Sequence, residues 1–346
     1  MTVIGIERVQ YRVDDLDLCA RYFEDYGLRL SERRDDEVRF ELPDNSQVVL
    51  RRSSDPVPGS ILVGQGIHEV VWGVDTEAHL GKLIERIARD RDLRLDDEGV
   101  YHFVADGGIA MGLRHWHEKR AVVTSTDPVN SPGNINRMNA HRRWVVRARP
   151  RYMSHVVFII PQYEECFAFL ADRLDFRLAD RQRGLGFYVR APGTMDHHNL
   201  FLLNANSGFP GIDGTAKFHH INFAVTDLDE IMVGKNHMER KGWARSIWGV
   251  GRHRIASALF CYMPFPGGGE VEYGADSDAL NDDWVPRDFD RHFGFAQWVH
   301  DIPEFWIAGP TWDVAFNPAD APGKYALPPA AALDALAHDE AETIAP

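Results

Sequence analysis

The chain has 346 residues, 44% of them hydrophobic and 26% charged, with a formal net charge of −14. Such a length accommodates two domains, and such fractions are those of an ordinary globular protein. The acidic balance speaks against broad binding to nucleic acid or anionic lipid, and there is no run of about 18 apolar residues to mark a membrane span.

The first residues, Met1 to Asp15, are polar and strand-like and lack the apolar stretch of a signal peptide. Cys19, Cys166 and Cys261 lie far apart and form no CxxC pair. A disulfide framework or a cysteine-rich zinc site is therefore not expected, and a reducing cytoplasm is.

Four segments share one pattern: a short apolar strand, an acidic or proline turn, a helix with three-four apolar spacing, then alternating strands. The first opens with IERVQYRVDDLD and places Leu16, Ala20, Phe23 and Tyr26 on a helix face. The second opens with IHEVVWGVDTEAH, with Leu80, Ile84 and Ile87 on the face. The third opens with SHVVFIIPQYEE, with Tyr163, Phe167 and Leu170, and the fourth with HHINFAVTDLDE, with Leu228, Ile231 and Met238. Each spacing makes one stripe that packs on a sheet. The pattern predicts an α+β protein in which a β-α-β-β-β module is used four times, as two pairs, each pair closing a curved mixed sheet into a cup.

Between the pairs lies TSTDPVNSPGNINRMNAHRR, rich in Ser, Pro, Asn and Gly, which reads as a linker. The expected organisation is an N-terminal domain over 1–120, a linker over 121–150, a second domain over 151–290 and an extension over 291–346. The basic cluster Arg142, Arg143, Arg147, Arg149 and Arg151 reads as solvated linker. The stretch 293–312 is too apolar for a free tail and is expected to cover the sheet, a pocket or a subunit contact. The part after Pro318 is rich in Ala and Pro.

The second pair of modules carries the chemistry. His155 opens the first strand of module three, His219 and His220 open that of module four, and Glu270 and Glu272 lie on its last strand. Two imidazoles and a carboxylate on one face of a metal, with open positions opposite, suit non-haem Fe(II) chemistry with O2. Alternation puts Glu270 and Glu272 on one face, so parity does not separate them, and puts His219 and His220 on opposite faces. His198, His253 and Tyr262 are candidates for proton work, because a neutral imidazole both takes and returns a proton and a phenol can hydrogen-bond a ring oxygen.

His253, Tyr262 nine residues on, and FPGGGEVE ending at Glu272 together resemble the signature of the two-domain extradiol ring-cleavage dioxygenases of the vicinal oxygen chelate superfamily. The likeness covers about residues 3–285 and is strongest in 152–275. It implies Fe(II), or Mn(II), on His155, His220 and Glu272, with His198 as acid–base residue and His253 and Tyr262 beside the substrate. It also implies meta cleavage of a catechol-type compound with O2, in aromatic-compound catabolism, by an enzyme that tends to assemble as a homo-oligomer. His219 becomes a neighbour of the site, and His197 a supporting or surface residue. The chain departs from the pattern at Cys261, Phe265, Ile255 and Ala256. Phe187 or Tyr188 and the Trp298–Trp306 stretch are expected pocket walls, which suits a bulky apolar catechol.

The first pair of modules serves as a control. Aligned by their strands, Arg8, Glu69 and Gly112 take the places of His155, His220 and Glu272. An arginine and a glycine do not complete the triad, so this domain is expected to be metal-free. His68, His102, His115 and His117 receive a structural reading. A lone strand histidine is more often a hydrogen bonder than a ligand, and the triad outweighs that reading only as a set. Rivals are a 4-hydroxyphenylpyruvate-type dioxygenase, a glyoxalase-type isomerase, which would want a fourth ligand, and a ligand-sequestering protein of the same fold.

Overall fold

Each repeat starts with an apolar strand and turns into its helix at a capping residue. In the computed structural model, which describes residues 2–52, 57, 59–290, 295–302 and 314–316, module one consists of β1 (Val3–Val13), α1 (Leu16–Tyr26), β2 (Arg29–Arg33), β3 (Glu37–Glu41) and β4 (Gln47–Arg52). Module two consists of β5 (Gly66–Val74), α2 (Glu77–Ile87), β6 (Arg94–Leu95), β7 (Tyr101–Val104) and β8 (Ala110–His115). Module three consists of β9 (Met153–Ile160), α3 (Tyr163–Leu174), β10 (Arg177–Gln182), β11 (Gly186–Arg190) and β12 (Leu200–Asn204). Module four consists of β13 (Lys217–Ala224), α4 (Leu228–Arg240), β14 (Val250–Arg252), β15 (Leu259–Pro264) and β16 (Glu270–Ala275). The acidic turns are N-caps. Asp15, Thr76 and Asp227 accept from the amides of Leu18, His79 and Glu230, satisfying helix-end donors that would otherwise be orphaned. α3 follows a Pro-Gln turn and has no side-chain cap.

In every module the first strand runs parallel to the last, and paired modules join through antiparallel first strands: β1 with β5, and β9 with β13. The result is an eight-stranded sheet and an eleven-stranded one, the second extended by β17 (Arg287–Phe289), β18 (Trp298–Val299) and β19 (Val314–Phe316). Residues 121–150 form no helix and no strand beyond one isolated Ser131–Asn134 bridge.

The helix faces differ from expectation in detail. α2 buries Leu80, Leu83 and Ile87, while Ile84 is only partly buried against the core. α3 buries Cys166, Phe169, Leu170 and Leu174, while Tyr163 and Phe167 sit at its margin against Phe187. Leu228, expected on the α4 face, is 38% exposed because it opens the first turn. The basic linker cluster is more than solvated chain. Arg142 pairs with Asp227 and Asp229, Arg147 donates to the Glu24 carbonyl, and Arg151 reaches Glu230. These contacts hold the linker to α1 and module four. Among the described residues no helix is long and apolar enough to cross a membrane.

Modules one and four share an aromatic core. Phe23 of α1 lies 4.6 Å from Phe265 and 6.1 Å from Phe223, and Tyr26 stacks on Tyr273 at 3.9 Å. Phe265 stands where the resembled pattern has a small or polar residue; here its ring seals the contact between the two sheets. Truncating the fully buried Phe23 to alanine is expected to cost about 3–5 kcal/mol, read as a fall in the urea midpoint and loss of near-UV circular dichroism.

Candidate metal centre

The four central strands of the second sheet set one row of residues. His155 on β9 lies opposite Asn222 on β13, Asn222 beside Glu272 on β16, and Glu272 opposite Tyr262 on β15. His220 is two residues before Asn222 and so shares its face. The side chains converge: His155 Nε2 and His220 Nε2 are 3.4 Å apart and lie 3.3 and 3.5 Å from Glu272 Oε2. Among the described residues this is the one group of three His, Cys, Asp or Glu side chains able to hold an ion, and no fourth joins it.

The donor set fits a divalent cation. Edges of this length match one ion bonded at roughly 2.0–2.2 Å to all three atoms. Glu272 is 1% exposed, and its Oε2 has no hydrogen-bond partner. A buried carboxylate oxygen without a partner is costly, and the two nearest groups are imidazole nitrogens. Burial, with His219 and His155 alongside, holds His220 well below the usual histidine range, so it is neutral and has a lone pair for an ion.

Neighbours fix those lone pairs. The Ser154 hydroxyl donates to Asn222 Oδ1 at 2.7 Å. Its oxygen is then the acceptor for His155 Nδ1–H at 3.2 Å, which leaves Nε2 of His155 free. His220 Nδ1 lies 2.6 Å from His219 Nδ1. Burial pushes His219 down to about 4, against the pull of Glu272, so His219 can accept that proton. Alternation would have turned His219 to the other face. The strand register slips between Phe218 and His220, and this bulge lets both imidazoles line the cavity.

The triad faces a cavity of about 1100 Å3. His198, just before β12, enters it with its ring 4.1 Å from that of His155. Burial and the surrounding imidazoles hold it well below the usual histidine range. His253 donates from Nδ1 to the Phe295 carbonyl, so its Nε2 accepts from the Tyr262 hydroxyl at 3.1 Å. Tyr188 lines the cavity, stacked on Phe201 at 4.0 Å, whereas its neighbour Phe187 faces α3. Ile255 and Ala256 also line it, which makes apolar wall of two departures from the resembled pattern. Cys261 is buried and its thiol is pushed up to about 12 by burial, a packed and unreactive group. Trp298 lies on β18 and is not in the cavity wall; Phe295 supplies that wall, and Trp306 lies outside the described residues. His197, placed only loosely by the sequence, is 1% exposed and bonded to Asp180. Glu270 also lines the cavity. Burial and the adjacent Glu272 push it up to about 7, and it stays outside the triad.

The control row in the first sheet has the same register. Arg8 lies opposite Val71 and Val71 beside Gly112, with Glu69 two residues earlier. Arg8 pairs with Glu98, and Glu69 bonds His102 at 2.6 Å. A protein cation and an ion-pair network occupy the place of the triad.

No family model matches the chain. Metapyrocatechase 2 of Cupriavidus necator is 29% identical over 214 residues, which span 61% of this chain and 64% of that protein. The chain is similar in sequence to this enzyme and to biphenyl-2,3-diol 1,2-dioxygenase of Paraburkholderia xenovorans, 29% identical over 160 residues, and it spans less than two thirds of the length of either. The solved structure of homoprotocatechuate 2,3-dioxygenase from Arthrobacter globiformis superposes on this fold with a TM-score of 0.66 at 15% identity, covering 89% of this chain and 92% of that one. A Mn(II)-bound glyoxalase from Novosphingobium aromaticivorans superposes with a TM-score of 0.65 at 20% identity, covering 95% and 97%. The vicinal oxygen chelate fold is thus common to both kinds of enzyme, and the relationship to the dioxygenases comes from sequence.

Asn222, Ser154 and Gly274 support the site without having been singled out by the sequence. A Cβ at Gly274 would lie 2.1 Å from Asn222 Nδ2. Gly274→Ala should therefore displace Asn222, release Ser154 and misalign His155. Metal affinity is expected to fall by about 10–100-fold with the far-UV circular dichroism retained, as measured by calorimetric titration.

Proposed function

We propose that the protein is an extradiol dioxygenase that opens a catechol-type ring with O2, using Fe(II) held by His155 Nε2, His220 Nε2 and Glu272 Oε2. The observation that carries this reading is the triad itself: three converging donor atoms with an unpartnered buried carboxylate oxygen, at the floor of a cavity that also holds His198 and the His253–Tyr262 pair. When bound, Fe(II) would supply a Lewis acid that lowers the pKa of a catechol hydroxyl and an electron source for O2 at its open positions.

The chain's own residues do the rest. Neutral His198 accepts a proton at the cavity and returns it as the ring opens. Tyr262, oriented by His253, offers its hydroxyl to the ring oxygen that leaves the aromatic system. Val157, Leu185, Tyr188, Phe201 and Phe209 make an apolar wall, which excludes water and favours a catechol with a large apolar substituent over a small charged one. Both oxygen atoms end in the product, a ring-opened semialdehyde-type acid or a related dienoate. The free, buried cysteines suit a reducing cytoplasm, and assembly as a homo-oligomer belongs to the same proposal.

The Mn(II)-bound neighbour favours a second reading, an isomerase on the same site. The absence of a fourth candidate ligand among the described residues speaks against it. Anaerobic reconstitution with Fe(II), then addition of air and a panel of catechols, separates the two. Extradiol cleavage predicts stoichiometric O2 uptake and a yellow product. Isomerisation predicts turnover without O2. His155→Ala should abolish metal binding and activity, while His198→Gln should keep the metal and lower kcat by about 10²–10⁴-fold.

A further inference from the structure

Behind His198 stand two ionisable side chains that do not touch the cavity. His197 and Asp180 are each 1% exposed. Asp180 Oδ1 accepts the Arg287 amide at 2.8 Å, and its Oδ2 lies 2.9 Å from His197 Nε2. His197 Nδ1 in turn lies 3.2 Å from His198 Nδ1. The chain therefore runs from a carboxylate through one imidazole to a second, and only the second lines the cavity.

We propose that Asp180 and His197 are positioning residues that set the tautomer of His198, so that His198 presents a lone pair on Nε2 to the substrate. A carboxylate accepts only, and with Oδ1 engaged by a backbone amide, Oδ2 holds the proton of His197 on Nε2. With that proton on Nε2, His197 offers the lone pair of Nδ1 and accepts the Nδ1–H of His198. The remaining nitrogen of His198, Nε2, is left unprotonated at the cavity. When it takes a proton, the charge is stabilised through His197 by Asp180, one imidazole further away than in a serine-protease triad. A structural hydrogen bond would satisfy Asp180 without placing the second nitrogen of His197 on His198.

The catalytic consequence rests on the proton role proposed for His198, whereas the tautomers do not. The full-length, metal-free chain labelled with 15N-histidine tests them by long-range proton–nitrogen correlation spectra. The expected result is His198 protonated on Nδ1 and His197 on Nε2. In Asp180→Asn the Arg287 amide keeps the one remaining oxygen, the amide group faces His197 Nε2, and both tautomers should invert. With Fe(II) restored, kcat should then fall by about 10²–10⁴-fold with KM nearly unchanged. A wild-type spectrum with the His198 proton on Nε2 would overturn the proposal, as would an Asp180→Asn variant with unaltered tautomers and kcat. If that variant fails to fold, the wild-type spectrum still decides. An expected spectrum from a protein that cleaves no catechol would leave the relay standing and remove the dioxygenase reading.

Discussion

The second sheet is organised around a carboxylate that has left water without finding a protein donor. Glu272 sits on a central strand, 1% exposed, with one oxygen unpartnered and two imidazole nitrogens 3.3 and 3.5 Å away. Folding such a group without a counter-charge costs several kcal/mol. A bound divalent cation would remove that penalty and use the lone pairs that Ser154 and His219 free on His155 and His220. The neighbouring features follow from holding this arrangement: the bulge at His219, the missing side chain at Gly274 and the Ser154–Asn222 bond.

The two sheets show how one fold solves the same position in two ways. Identical strand registers place Arg8 and Glu69 where His155 and His220 stand. In the first sheet the guanidinium of Arg8, paired with Glu98, is a built-in cation, and His102 ties Glu69 to Asp96. Burial opposes the charge on His102, but its bonds to the two carboxylates hold its pKa above the usual value. The first sheet thereby closes into a scaffold, and Phe23, Tyr26 and Tyr273 lock it to the second.

Much of this was legible in the chain because it depends on periodicity. The apolar stripes of α1 and the fourfold repeat follow from strand and helix periods of two and 3.6; the same periods bring His155, the His219–His220 pair and the Glu270–Glu272 pair to neighbouring strands, while the choice of His220 and Glu272 came from the resembled signature. Asn222 shares a face with His220, but nothing in its type marks it until Ser154 is seen beside it. What escaped depends on breaks in periodicity or on distant strands. His219 reaches the cavity through a bulge, Phe295 comes from beyond the last module to hold His253, and Asp180 meets His197 across 17 residues and the intervening strand β11. The choice between Phe187 and Tyr188 turned on the facing of adjacent residues, which only the packing of α3 decides.

The most direct test is an anaerobic titration of the metal-free protein with Fe(II), read by calorimetry and by iron content after gel filtration, beside Glu272→Gln. One iron per chain, lost in the variant, is the predicted result. No iron in the wild type, or two per chain with one surviving the substitution, would contradict it. The first outcome would leave Glu272 buried without a counter-charge, and the second would place a metal where Arg8 stands.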